Sequence, residues 1–208
     1  MDIHSFFEEA SELYSVQDLI SEHTDMIFIL ESPHKEEIKS GVPLAGLSGR
    51  SMAKELFEVE ESLPMGKLLK QYINENKKTA FGIVNVSSFP LQGSAFPDQS
   101  FVSRYSEEIK VAEAVRTSSV KVFKDEFRAK FDQLLLQHFE TRLTSLLTEN
   151  SLIVPCGRFA EKYVNKLSNR ENLTVIEGVP HPSYHSWSRD RYQKVIDKVR
   201  VEGKKRTS

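Results

Sequence analysis

Three side chains far apart in the chain have the types and settings to do chemistry together: Glu31, Asn85 and His181. Glu31 follows the apolar run Met26-Ile27-Phe28-Ile29-Leu30. A carboxylate just past a buried strand sits at the mouth of a site, where low dielectric favours its use as a general base. Asn85 closes a second apolar run, and its amide offers one acceptor and two donors, which suits the polar edge of a pyrimidine base. His181 lies between Pro180 and Pro182, which stiffen the backbone on both sides. Such an imidazole can donate a hydrogen bond to charge developing on a leaving group. Ser183 can grip a phosphate. Tyr184, His185 and Trp187 can stack on bases or wedge between them. Each residue also has a plainer reading: a solvated strand-end Glu, an Asn bonded to local backbone, a turn with a surface His.

The elements that would position these residues alternate between helix and strand. The spacing predicts an amphipathic helix over 5–22 and a buried strand over 26–30. A loop over 31–47 follows, and Ser48 caps a helix running to about residue 58. Another helix is expected over 65–76, a strand over 81–86 and a polar loop over 87–104. Phe123, Phe127, Phe131, Leu135, Phe139, Leu143 and Leu146 repeat at intervals of three and four, predicting one long helix over 119–148. Strands are expected at 151–155 and 173–176, and helices at 158–168 and 188–201. This order implies a three-layer α/β/α sandwich around a central four-stranded parallel sheet. Ligands bind such sheets outside the carboxyl ends of the strands. The segments 31–50, 85–93 and 178–187 meet there.

Composition sets the outer bounds. The 208 residues are 39% hydrophobic and 28% charged, enough for a real core in one domain spanning 1–208. No apolar run is long enough for a transmembrane helix. The acidic N-terminus lacks a signal peptide's apolar stretch. Cys156 is the only cysteine, which suits a cytoplasmic protein. Charge is polarised. Residues 1–65 carry 14 acidic and four basic groups, and residues 66–208 carry 16 acidic and 24 basic. A basic tail at about 203–208 fits a polyanion on one side, or simply a solvated helix end with a loose Lys204-Lys205-Arg206 segment.

Together the three segments resemble the uracil-DNA glycosylase superfamily, whose first motif follows strand one in forms such as G-E-A-P-G or G-Q-D-P-Y-H. Here Leu30-Glu31-Ser32-Pro33-His34 takes that place. Gly41-Val42-Pro43-Leu44-Ala45-Gly46-Leu47-Ser48-Gly49 is similar to the superfamily's G-x-P-F-x-G-x-x-G stretch. Asn85 takes the place of the base-reading Asn, and His181-Pro182-Ser183 that of the last H-P-S motif. Cys156-Gly157-Arg158-Phe159-Ala160 resembles its Gly-Arg-x-Ala step. The order agrees from about residue 25 to 187. The chain departs from the pattern at Leu30 (usually Gly), at Ser32 (Asp or Asn in other branches), at Leu44 (usually the stacking Phe) and at Tyr184 (commonly Pro). One cysteine excludes the iron–sulfur cluster of one branch.

The resemblance implies a DNA partner, in single or double strands, and hydrolysis of the N-glycosidic bond of a flipped, deaminated base. No metal or cofactor is required. Glu31 would handle water and His181 would stabilise the departing base. Ser32, Pro33, His34, Leu44, Gly46, Ser48, Asn85 and Ser183 would line the substrate site, with Tyr184, His185 and Trp187 on the DNA. Two other readings stay open: a non-catalytic nucleic-acid or nucleobase-binding module on the same scaffold, and a hydrolase of free nucleosides or nucleotides. A metal site from His34, His181 and His185 is a further one, opposed by Pro182 between the last two.

Overall fold

The computed structural model describes residues 1–58 and 63–207. Four strands form one all-parallel sheet: β1 (Met26–Leu30), β2 (Phe81–Asn85), β3 (Leu152–Pro155) and β4 (Thr174–Val175), in the order β2-β1-β3-β4. Leu30 pairs with Asn85, and Met26 with both Phe81 and Leu152. Because side chains alternate across a strand, each strand feeds two cores. Ile27, Ile29, Val84 and Ile153 face one side of the sheet. They pack with α1 (Ile3–Tyr14), α6 (Ser106–Thr117), α7 (Glu126–Leu146) and α8 (Arg158–Val164). Met26, Phe28, Leu30, Ile83 and Val154 face the other side. They meet α3 (Leu47–Phe57), α4 (Met65–Asn74) and α9 (Asp190–Thr207). Two short helices complete the set, α2 (Lys35–Ser40) and α5 (Gln99–Arg104). The layers are therefore helix, sheet, helix. No helix among the described residues is long and apolar enough to cross a membrane.

Several elements differ from the sequence expectation. The helix expected over 5–22 stops at Tyr14. The Ser15 hydroxyl bonds back to the Ser11 carbonyl, competing with the next helical turn. Leu19 then exchanges backbone hydrogen bonds with Ile83, so the segment covers the open edge of β2. The helix expected over 119–148 begins at Glu126, where the Asp125 side chain accepts from the Arg128 amide. Phe123 lies before it, beneath the Lys162 ammonium. The loops at 31–47 and 87–104 contain α2 and α5. The 203–208 tail is not loose: α9 runs to Thr207, Lys204 pairs with Glu58, and Lys205 and Arg206 pair with Glu202. Ser208 lies outside the described residues, as do residues 59–62.

His138 on α7 packs edge-on against Phe7, and its imidazole is pushed down to about 4, first by burial and then by nearby Arg142. An unfolded histidine titrates near 6.5. Between those values the unfolded chain takes up a proton that the fold refuses, so this group removes stability as pH falls from about 6.5 toward 4. The part-buried carboxyls of Asp18 and Glu37 are raised by desolvation and act in the opposite sense. Comparison with His138→Leu cancels them. Relative to the wild type, the variant's Tm rises as pH drops from 7 to 5; a gap constant with pH refutes this assignment.

Candidate functional site

The strand order places the topological switch point between β1 and β3, since the chain leaves them toward opposite edges of the sheet. A cleft of ≈ 660 Å³ lies there. Glu31, one residue past β1, and His181, beyond β4, both line it, with Gly157 and Arg158 after β3. Arg116 and Lys162 complete a wall of three cations facing two carboxylates, Glu31 and Glu161.

Glu31 is fixed at both ends. Its carbonyl accepts the Ser87 amide at 3.0 Å. Its Oε1 accepts Arg116 Nη1 at 3.1 Å, and both side chains remain part-exposed. The other oxygen, Oε2, has no protein donor among the described residues, so one face of the carboxylate is open to water or ligand. Arg116 comes from the last turn of α6, and its Nε is buried with no partner among the described residues. Lys162 donates to the carbonyls of Val115 and Ser118 at 3.4 and 3.3 Å, tying the end of α6 to the cleft.

His181 is held by its own loop. The Ser183 amide donates to Nδ1 at 3.2 Å, and Ser183 Oγ lies 3.0 Å from the same nitrogen. A nitrogen that accepts an N–H carries no proton, so in the neutral ring Nε2 is the donor. Burial pushes the imidazole down to about 4, and it is neutral at physiological pH. Gly157 is required beside it. Its φ is +91°, and a Cβ there would lie 3.0 Å from His181 Cβ.

The loop that follows is strained. Tyr184 and His185 adopt φ of +53° and +50°, a region costly for non-glycine residues. Arg189 donates to the Tyr184 carbonyl and Ser188 to the His185 carbonyl, both at 2.9 Å. The Ser186 hydroxyl donates to the His181 carbonyl. Tyr184 is 86% exposed, and His185 is exposed beside it. Trp187 is the correction. It was expected on the DNA surface, but it is fully buried against Phe28, with Nε1 donating to the Pro180 carbonyl at 2.8 Å. The indole anchors the His181 loop in the core.

The remaining expected residues lie outside the cleft lining. Ser32 is half-buried, Pro33 is buried, and His34 is exposed before α2. Leu44 is buried with φ of +50°. Gly46 precedes α3 and Ser48 lies in its first turn. Ser183 touches the site only through the His181 ring. Asn85 is buried, and neither of its amide atoms completes a hydrogen bond among the described residues. Its carbonyl accepts from Arg142, whose guanidinium is held by Asp18 at 3.1 Å. His34, His181 and His185 do not converge: no group of three or more His, Cys, Asp or Glu among the described residues could hold a metal.

Sequence reasoning missed Arg116 and Lys162 in the cleft, and named Arg158 only as part of the Gly-Arg-x-Ala step. A signal for Arg116 existed. Ile109, Ala112 and Val115 recur every third residue between Glu107-Glu108 and Arg116, a helix with charges matched to its dipole. No family model and no curated protein sequence matches this chain.

Proposed function

We propose that this chain is a DNA glycosylase-like hydrolase that cleaves the N-glycosidic bond of a flipped, deaminated base, uracil or a relative. The observation that carries the reading is the meeting of Glu31 and His181, 150 positions apart in sequence, in one cleft at the carboxyl end of the sheet. The C1′–N bond breaks with its electron pair leaving on the base. The neutral His181 Nε2–H donates a hydrogen bond to that anion as it forms. The sugar develops positive charge, which the Glu31 carboxylate stabilises through space. Water adds its oxygen to C1′, and its proton passes to Glu31 or solvent while the base is protonated from solvent. Arg158, with no ion pair among the described residues, is placed to meet a phosphate at the cleft rim.

The test is a panel of labelled oligonucleotides carrying uracil, hypoxanthine, xanthine or a mismatch, single- and double-stranded, followed by alkali. The expected result is abasic-site formation at one lesion class that Glu31→Gln lowers by about 10²-fold or more. One observation favours a second reading, a non-catalytic binding module: Glu31 is engaged by Arg116. Binding without cleavage at any lesion, unaltered in Glu31→Gln, selects that reading. Neither binding nor cleavage overturns both.

A further inference from the structure

Hydrolysis of the glycosidic bond leaves Lys162, in the wall of the same cleft, without a task. Its setting is unusual for a lysine. The side chain leaves α8 half-buried rather than reaching into water. Its ammonium lies 5.0 Å from the centre of the Phe123 ring, 5.3 Å from that of Tyr163 and 5.8 Å from that of Phe159. Phe159 and Ser118, two of the groups around it, also line the cleft. No carboxylate pairs with Lys162 among the described residues. Asp132, whose charge reaches it, is already taken by Lys166 and by the Tyr163 hydroxyl, both at 2.7 Å.

The hydrogen bonds of Nζ show which proton it can give up. It donates to the carbonyls of Val115 and Ser118 at 3.4 and 3.3 Å. An ammonium has three N–H groups, and the third finds no protein acceptor among the described residues. Losing that proton leaves an amine with one N–H for each carbonyl and a lone pair free to attack. The aromatic neighbours strip water from the charged form, which favours the loss, while their ring faces attract a cation and pull the other way. Burial is the largest influence on this amine and lowers it below an ordinary lysine; Lys166 adds to the fall and Asp132 opposes it. The same bonds fix where the amine stands. Val115 precedes Arg116, whose guanidinium holds Glu31, so one helix end positions both the amine and the carboxylate.

We infer that Lys162 is a nucleophile that forms an imine with the aldehyde of a ring-opened abasic sugar, giving the chain a strand-cleaving lyase activity. The choice of aldehyde rests on the glycosylase-like reading, because hydrolysis at C1′ leaves a hemiacetal that opens to one. The Lys162 lone pair adds to C1′, an amine proton moves to the oxygen, and loss of water leaves an imine that is protonated from solvent. A base then takes a proton from C2′; Glu31, with its free Oε2, stands in the same cleft. The electrons of that C–H bond end in a C2′–C3′ double bond, and the C3′–O bond breaks with its pair on the departing phosphate. Water hydrolyses the imine, returning the free amine and an unsaturated aldehyde. The sequence is redox-neutral, and the water lost in the first half is regained in the second.

The test uses an oligonucleotide that already carries an abasic site, so no base excision is needed. With sodium borohydride, which reduces the imine, the wild type is expected to become covalently joined to the strand through Lys162, mapped by mass spectrometry. Without reductant the strand is cut on the 3′ side of the site. A tetrahydrofuran analogue, which has no aldehyde, gives neither product. Lys162→Arg keeps a cation and N–H donors for both carbonyls but forms no stable imine, and it is expected to abolish adduct and cut. Lys166→Arg, four residues on, retains both. An adduct at another amine, or one undiminished in a folded Lys162→Arg, overturns the inference. So does a wild type that gives no adduct, the result of a lysine that only ties down the end of α6. Strands bearing uracil separate the two readings. Base excision without trapping on the abasic strand leaves the glycosylase-like reading standing and overturns the lyase. Trapping without excision does the reverse.

Discussion

His181→Ala is expected to lower kcat on a cleavable lesion by about 10²–10³-fold, the usual scale for losing one donor aimed at developing negative charge. KM should change little, because the hydrogen bond strengthens only as the base departs. The pH dependence sharpens the test. Burial holds this imidazole at about 4, and its Nδ1 accepts the Ser183 amide. The working form is the neutral Nε2–H donor, present above about pH 4 and lost as pH falls through that value. The wild-type kcat profile should therefore show no acid limb near 6.5 from this residue. A His181→Gln variant, which still offers an N–H, should recover part of the loss. An Ala variant with unaltered kcat, or a wild-type limb at 6.5 that disappears in the variant, would sink the role assigned to His181.

The strands were legible for a simple reason. Each buried strand is a short apolar run with a turn signal after it, and burial on both faces leaves no other pattern. Met26–Leu30 and Leu152–Pro155 carry that signature without interruption. Helix ends were less legible because they depend on single side chains. Ser15 and Asp125 decide where α1 stops and α7 begins, and neither alters the apolar periodicity around it. The sheet edge was not legible at all. Leu19 reads as helical by spacing, but the exposed hydrogen-bonding groups of β2 recruit it as an edge strand.

The site divides in the same way. Glu31 follows β1 directly and His181 lies on the loop beyond β4, both on the carboxyl side of the sheet, so the parallel topology was enough to foresee their meeting. Arg116 reaches the cleft from α6, an element that enters the site by packing rather than by strand order. The local pattern marks the helix end that carries it, but what that end meets follows from tertiary contacts. Glu37 is a more instructive omission. Within Lys35-Glu36-Glu37 nothing distinguishes it from its neighbour. Only the fold of the loop back to Leu44 separates a part-buried clasp, its carboxylate accepting the His34 and Leu44 amides, from a solvated helix charge. The motif residues around it were visible; the group that holds them was not.

Trp187 shows what an aromatic residue in a functional loop can be doing instead of touching a ligand. It is fully buried and is the chain's sole tryptophan, with its ring centroid 6.2 Å from that of Phe28. Trp187→Ala removes that packing and leaves the Pro180 carbonyl without the indole N–H. The expected cost is about 3–5 kcal/mol, or a Tm lower by roughly 10 °C for a chain of this size. His181 lies one residue beyond Pro180, so catalysis should fall along with stability even at temperatures where the variant is folded. Trp187→Phe keeps most of the packing and loses the hydrogen bond, and it should cost only about 1–2 kcal/mol. The indole also reports on itself. Its fluorescence should be blue-shifted, resist quenching by iodide and change little when DNA is added. An unchanged Tm in Trp187→Ala, together with wild-type indole emission that DNA quenches, would return this residue to the surface role expected from sequence. Tyr184 would then no longer be the aromatic best placed to meet the nucleic acid.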